Sequence, residues 1–116
     1  MIKRKDSLIT TPMPALLGGE GSIDRTPFLQ PDEFHGKGRV FAHMRIPPGS
    51  SIGVHVHEGE QEITVILSGS GEVLEDGEWL PIHPGDVTIT PSGSEHGIRN
   101  TGDEDIEMIA LILYVD

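Results

Sequence analysis

The sequence has 116 residues and a formal net charge of −11, a size that predicts one domain with a modest hydrophobic core. This acidic balance argues against nucleic acid and membrane surfaces as partners, because phosphate backbones and anionic headgroups repel it. The chain has no cysteine, which excludes disulfides, and no recognisable signal peptide or membrane-spanning stretch, so we expect a cytoplasmic protein.

Residues 1–35 carry no strong periodic pattern and are punctuated by proline and glycine. We predict an extended N-terminal arm here, with one or two short strands. The arm holds more apolar residues than a free tail needs: Leu16, Leu17, Ile23, Phe28 and Leu29. Two interpretations stay open, a partly ordered tail or an arm that packs on, or adds a strand to, a second subunit.

Turn signals become regular from Gly36, and the short apolar runs between them predict an all-β barrel over residues 36–116. The residues at 58–61 are predicted to form a polar turn. Asp76-Gly77 predicts a hairpin, because both central positions of such a turn need positive φ. The predicted strands are, in chain order, Arg39–Ile46, Ser51–His57, Glu62–Leu67, Glu72–Glu75, Glu78–Ile82, Asp86–Thr90, His96–Asn100 and Ile106–Val115.

The last predicted strand is apolar on both faces from Ile109 onward. A strand on the outside of a small monomer should instead alternate between polar and apolar residues. We therefore expect the N-terminal arm or another subunit to cover its outer face. On this ground we predict a homodimer.

His55 and His57 are separated by one residue, and Glu62 follows after a short break. Alternate side chains of an extended strand leave the same face, so both imidazoles can aim at one point. Two neutral imidazoles and a carboxylate are three ligands for a divalent metal.

Two stretches of the chain resemble the two sequence motifs of the cupin family. The first has the motif spacing at Gly49, His55, His57, Glu62 and Gly69, and the second at Gly85, Pro91, Gly93, His96 and Asn100. Both fit without a gap or a substitution. The resemblance implies a cupin-type double-stranded β-helix, which is a jelly-roll barrel. It also implies four metal ligands at one end of the barrel: His55, His57, Glu62 and His96.

Such a set of nitrogen and oxygen ligands suits one divalent transition metal per chain, with Mn²⁺ favoured and Fe²⁺, Ni²⁺, Co²⁺ or Zn²⁺ as the other candidates. Four protein ligands on an octahedral metal leave two positions for water or substrate, which is typical of a working site.

The resemblance extends to oxalate-binding and oxalate decarboxylase-like cupins. It implies an enzyme that acts on or chelates a small carboxylate or keto acid such as oxalate, of the decarboxylase or dioxygenase type. The alternatives are a non-catalytic cupin that binds a small ligand, and a sugar or sugar-phosphate isomerase. No catalytic residue is assigned, because a decarboxylase needs a carboxylic acid near the metal and no lid segment clearly supplies one.

The other polar residues near the motifs are given structural roles. His43 is predicted to lie at the surface or in packing, with a position facing the pocket as the alternative, and His83 is predicted to be solvated. Glu58 and Glu60 are predicted to lie in a solvated turn, with support of the ligands or an acid/base role as the alternatives. Asn100 is predicted to serve a turn or a strand end.

Overall fold

The computed structural model describes residues 1–115, so residue 116 of the predicted barrel lies outside it. Within that range, no helix is long and apolar enough to cross a membrane. The strands are β1 Thr11–Pro14, β2 Ser22–Pro27, β3 Gly38–Ile46, β4 Ser51–Val56, β5 Glu60–Ser68, β6 Gly71–Glu75, β7 Glu78–Ile82, β8 Val87–Thr90, β9 Glu95–Arg99 and β10 Ile106–Tyr114. Short 3-10 helices lie at Lys5–Ser7, Leu16–Gly18 and Pro31–Phe34.

The strands form two antiparallel sheets that enclose one core. The six-stranded sheet has the order β1-β2-β3-β10-β5-β8, and the four-stranded sheet has the order β4-β9-β6-β7. Several neighbouring strands, such as β3 and β10 or β4 and β9, come from distant parts of the chain, as in a jelly roll. The predicted all-β barrel is confirmed.

The core comes from the inner faces of β3 and β10, the two central strands of the larger sheet. Alternate residues are buried on each strand, and each fully buried isoleucine or methionine stabilises the fold by roughly 1.5–3 kcal/mol. The buried residues are Val40, Ala42, Met44 and Ile46 on β3, and Ile106, Met108, Ala110 and Ile112 on β10.

The tight turn between β6 and β7 follows the sequence prediction. Asp76 has φ of 49° and Gly77 has φ of 80°, the two left-handed conformations that a two-residue hairpin requires. Cross-strand pairing continues directly from this turn, with Glu75 opposite Glu78.

The predicted polar turn at residues 58–61 is wrong in its second half, because β5 already begins at Glu60. Glu60 pairs with Tyr114 of β10, and its side chain is buried with those of Glu62 and Thr64. The buried face of this part of β5 is therefore polar, which is why it resembles a turn in sequence. His57 lies just beyond the end of β4.

The N-terminal arm extends the larger sheet. Strands β1 and β2 form a hairpin, and β2 pairs with β3. The 3-10 helix Leu16–Gly18 lies against β4 so closely that a Cβ on Gly53 would come within 2.0 Å of the Leu17 carbonyl oxygen. Only glycine permits this approach. The division between residues 35 and 36 stays a prediction.

The outer face of the larger sheet is apolar across four strands. One row of directly paired residues joins Phe41, Leu111, Ile63 and Ile89. In the next row, Ile109 pairs with Val65 and Val65 with Val87. Phe28 of the arm packs edge-on against Phe41, with ring centroids 5.1 Å apart. We call these two rows the outer apolar face.

Candidate metal centre

Four side chains predicted as metal ligands meet at one end of the barrel. His55, His57, Glu62 and His96 each offer one ligand atom, and these atoms all lie within 4.8 Å of one another. We call these four residues the ligand cluster. The structure thus brings together all four residues that were predicted as metal ligands.

The strand register explains how distant residues arrive at the same point. His55 of β4 lies directly opposite His96 of β9, after a register shift that follows Ile52. Glu62 of β5 lies directly opposite Thr90 of β8, and the Thr90 hydroxyl contacts the His96 ring. Each sheet therefore contributes to the cluster.

The three histidines direct their Nε2 atoms at one another. The Nε2–Nε2 distances are 3.2 Å between His55 and His57, 3.0 Å between His57 and His96, and 2.9 Å between His55 and His96. Glu62 Oε1 lies 2.8 Å from His57 Nε2 and 3.4 Å from His96 Nε2.

The opposite nitrogen of each ring is held by a partner outside the cluster. His55 Nδ1 lies 2.6 Å from the Gly53 carbonyl oxygen, and His57 Nδ1 lies 2.7 Å from Glu60 Oε1. His96 Nδ1 lies 2.9 Å from Thr90 Oγ1. Carbonyl and carboxylate oxygens only accept hydrogen bonds, so His55 and His57 donate through Nδ1. Their Nε2 atoms then present lone pairs.

Converging lone pairs and a carboxylate oxygen repel one another unless a cation lies between them. Imidazole ligands are typically oriented by a hydrogen bond from the other ring nitrogen to a carboxylate or carbonyl, as occurs here. The residues present therefore fit a divalent metal. The ligand set contains no sulfur, so it suits the metals that prefer nitrogen and oxygen.

Two residues of the cluster, His55 and Glu62, have shifted pKa values, and each shift favours the form that binds a metal. Burial lowers the pKa of His55, which favours the neutral imidazole. Burial alone would raise the pKa of Glu62, but its interactions with the His96, His57 and His55 rings leave it below its ordinary value. Neutral imidazole and ionised carboxylate are the forms that bind metal ions.

Glu60 and Arg39 form a support behind His57. Arg39 Nε and Nη2 donate to the two Glu60 carboxylate oxygens at 2.7 and 2.6 Å. This hydrogen bonding, joined by that from His57, lowers the pKa of Glu60 to about 2. Glu60 therefore remains an anion and holds the His57 ring in one orientation. Its prediction as a solvated turn residue is wrong.

The ligand cluster opens into a mostly apolar cavity of about 170 Å³. Its walls include Met44, Ile52, Val73, Ile98 and Met108 from the core and Leu16 and Leu17 from the arm. Arg25, Arg39 and Glu75 also line it. This volume is below the roughly 300 to 1,000 Å³ of pockets that hold drug-sized ligands, so the cavity suits a small molecule.

The other polar residues considered from sequence lie outside the cluster. His43 is on the outer side of β3, with its Nε2 3.1 Å from Glu107 Oε1, and the His83 side chain is 67% exposed. Glu58 is exposed. Asn100 is buried and donates through Nδ2 to the carbonyl oxygens of Ile46 and Glu104, so it stabilises the end of β9 as predicted.

Sequence reasoning did not assign three residues that support the site. Glu60 had a usable signal, because it precedes Glu62 by two positions and so shares its face of an extended strand. Thr90 and Arg39 carry no local signal, since their contacts depend on strand pairing between distant segments.

Known proteins are similar to this chain in sequence. The family model for the cupin domain matches residues 42–112. The oxalate-binding protein of Thermotoga maritima is 42% identical over 113 residues, which is 97% of this chain and 93% of that protein.

Solved structures support the same fold. A predicted oxalate decarboxylase from Thermotoga maritima superimposes with a TM-score of 0.95 at 41% identity, covering 99% of this chain and 100% of that one. The cupin domain of an XRE family transcriptional regulator from Enterobacter cloacae gives a TM-score of 0.69 at 23% identity, covering 81% of this chain and 98% of that domain. The second likeness shows the fold alone.

Proposed function

The chain belongs to the cupin family, and on that premise we propose that it binds one divalent metal ion through the ligand cluster and a small carboxylate through that metal. The observation that carries this proposal is the convergence of three imidazole nitrogens and the Glu62 carboxylate, with His55 and His57 held as Nδ1 donors. Nitrogen and oxygen ligands suit Mn²⁺, Fe²⁺, Ni²⁺, Co²⁺ and Zn²⁺ alike, and of these we propose Mn²⁺.

Three observations favour oxalate as the ligand: the charge that a bound metal would supply, the small volume of the cavity, and the similarity of this chain to an oxalate-binding protein. A bound metal would supply a positive charge and attract carboxylate oxygens. The cavity of about 170 Å³ favours a small acid over a bulkier sugar phosphate. A protein that shares 42% of its residues with this chain is described as oxalate-binding.

Calorimetric titration of oxalate tests the proposal. The protein is stripped of metal with a chelator, and one half is reconstituted with Mn²⁺. We expect oxalate to bind to the Mn²⁺ form and not to the stripped form, since the ligand is held through the metal. Equal affinity in the two forms would exclude metal-mediated binding.

An enzyme is the second candidate, and Glu75 is the observation that favours it. Glu75 lies at the end of β6, and its side chain lines the cavity with the ligand cluster. Decarboxylation of hydrogen oxalate breaks the carbon–carbon bond, releases CO₂ and leaves a carbon that must take a proton to give formate. A carboxyl group in the cavity wall is a suitable source of that proton. A dioxygenase would consume O₂ instead.

We also propose that two copies pair through the outer apolar face. Val87 and Ile89 on this face are 59% and 58% exposed, and Leu67 beside them is 48% exposed. Soluble monomers rarely expose a contiguous apolar patch of more than a few hundred Å². The arm does not cover this region, because β1 and β2 join the opposite edge of the sheet from β8. A second copy is therefore the proposed cover, in a symmetric contact of like faces.

A further inference from the structure

The N-terminal arm supplies part of the wall of the cavity that contains the ligand cluster. Leu16 and Leu17 line it from the 3-10 helix that packs on β4, and Arg25 lines it from β2. Neither cupin motif includes these residues. The arm therefore belongs to the site as well as to the sheet.

Arg25 lies on the inner face of its strand. Ile23, two positions earlier, is 1% exposed, and Arg25 pairs directly with Met44, which is buried and also lines the cavity. The residue between them, Asp24, leaves the opposite face and pairs with Arg45 on the outside of the sheet. Because side chains alternate along a strand, the Arg25 side chain leaves the inner face of the sheet, where the residue lines the cavity.

The two arginines of the cavity differ in how their charge is compensated. Arg39 is bound by both carboxylate oxygens of Glu60. Arg25 has no ion pair and no side-chain hydrogen bond with any residue between 1 and 115. Glu75 also lines the cavity, but it forms no ion pair with Arg25.

A guanidinium beside a largely apolar cavity favours an anionic partner, because its donors are otherwise satisfied only by water. Its planar arrangement of N–H groups matches the two oxygens of a carboxylate. A monocarboxylate bound to the metal would have no second anionic group to offer it. A dicarboxylate has one.

We propose that Arg25 binds the carboxylate oxygens of the ligand that face away from the metal, and so selects dicarboxylates over monocarboxylates. This inference rests on the proposed function, since it requires an anion held at the ligand cluster. It assigns the arm a role in ligand recognition. Arg25 acts here as a specificity residue that contacts the ligand, with no part in holding the metal.

Calorimetry with oxalate and acetate on the Mn²⁺-reconstituted protein tests this role. We expect Arg25→Gln to weaken oxalate binding by roughly 10- to 100-fold, the range of a hydrogen-bonded charged contact. Acetate binding should change little. Arg25→Lys should recover part of the oxalate affinity, because it restores the charge without the two-pronged geometry. Metal content, measured by elemental analysis, should equal that of wild type in both variants.

Arg4→Gln is the matched control, because it removes the same charge at an exposed position outside the cavity wall. It should bind oxalate as wild type does. Unchanged oxalate affinity in Arg25→Gln, or an equal loss in Arg4→Gln, would overturn the role of Arg25 and leave the proposed function intact. Failure of Mn²⁺-loaded wild type to bind oxalate would overturn both.

Discussion

His57 and Glu60 are joined by a hydrogen bond of 2.7 Å between Nδ1 and Oε1 on the side of the ring that faces away from the ligand cluster. Arg39 in turn holds both oxygens of Glu60. A partner of this kind fixes the orientation and tautomer of an imidazole ligand and increases its basicity. The organisation of the site therefore extends beyond the four ligands to a buried carboxylate and an arginine from β3.

The first prediction concerns this support. Glu60→Gln should retain the fold but weaken Mn²⁺ binding by roughly 10- to 100-fold, as is typical for residues that orient metal ligands. The neutral amide accepts a weaker hydrogen bond from His57 and loses the ionic contact with Arg39. Competition with a metal chelator of known affinity measures the change. Glu58→Gln, an exposed change two residues away, should behave as wild type, and an equal loss in both variants would contradict this role.

The second prediction concerns the ligands themselves. Reconstituted wild type should contain about one divalent metal per chain, and His57→Ala should lose more affinity than the roughly 10- to 100-fold expected for a supporting residue. It removes a ligand whose side chain is only 5% exposed. Elemental analysis after gel filtration gives the metal content. His83→Ala is the matched control, since that side chain is 67% exposed and outside the cluster. Equal metal in the two variants would reject the ligand assignment.

Three residues of the ligand cluster were predictable from the sequence because their signal is local. His55, His57 and Glu62 lie within eight positions, and alternation along a strand is enough to bring the imidazoles to one side. His96 needed the family resemblance, since its position opposite His55 depends on how β4 and β9 pair. The succession of strands from residue 36 onward was also predictable from a local signal, because turn residues recur at short intervals.

The rest of the site was not predictable, because it depends on contacts between segments far apart in the chain. Arg25 and Arg39 reach the cavity from β2 and β3, and neither lies close in sequence to a residue of the ligand cluster. Glu60 was assigned to a turn because a buried polar face resembles an exposed one when only the residue types are known. Burial of a carboxylate becomes favourable only when its arginine and histidine partners are in place.

The third prediction is a pH dependence of stability. The pKa of Glu60 is about 2 in the folded chain, against an ordinary value of 4.5. A lowered pKa means that the ionised carboxylate stabilises the fold above pH 4.5, and that this contribution is lost as the pH falls toward 2. Urea unfolding of metal-free protein should therefore show a difference between wild type and Glu60→Gln that is largest at neutral pH and shrinks in acid. A difference that is constant with pH would contradict the ionic role of Glu60.

The fourth prediction concerns assembly. Wild type should be a dimer at micromolar concentration, and Ile89→Asp should shift it toward the monomer, because a charge would be buried in the proposed apolar contact. Ile89 is 58% exposed in the single chain, so the substitution should not disturb the hydrophobic core of the protomer. Sedimentation velocity measures the mass. Leu80→Asp places the same charge on the other sheet, at a side chain that is 42% exposed, and should leave the dimer intact. A monomeric wild type would exclude the proposed contact.

The fifth prediction separates an enzyme from a binding protein. If the protein is a decarboxylase, Mn²⁺-loaded wild type should convert oxalate to equal amounts of CO₂ and formate with no net O₂ uptake. Glu75→Gln should then lower turnover by about 100-fold or more, the range of a proton donor, while oxalate affinity stays close to that of wild type. Glu78→Gln, across the same hairpin but outside the cavity wall, is the control and should retain turnover.

Net O₂ consumption would indicate an oxygenase instead. If oxalate binds and no product forms, the protein is a metal-dependent oxalate-binding protein and is not an enzyme that acts on oxalate.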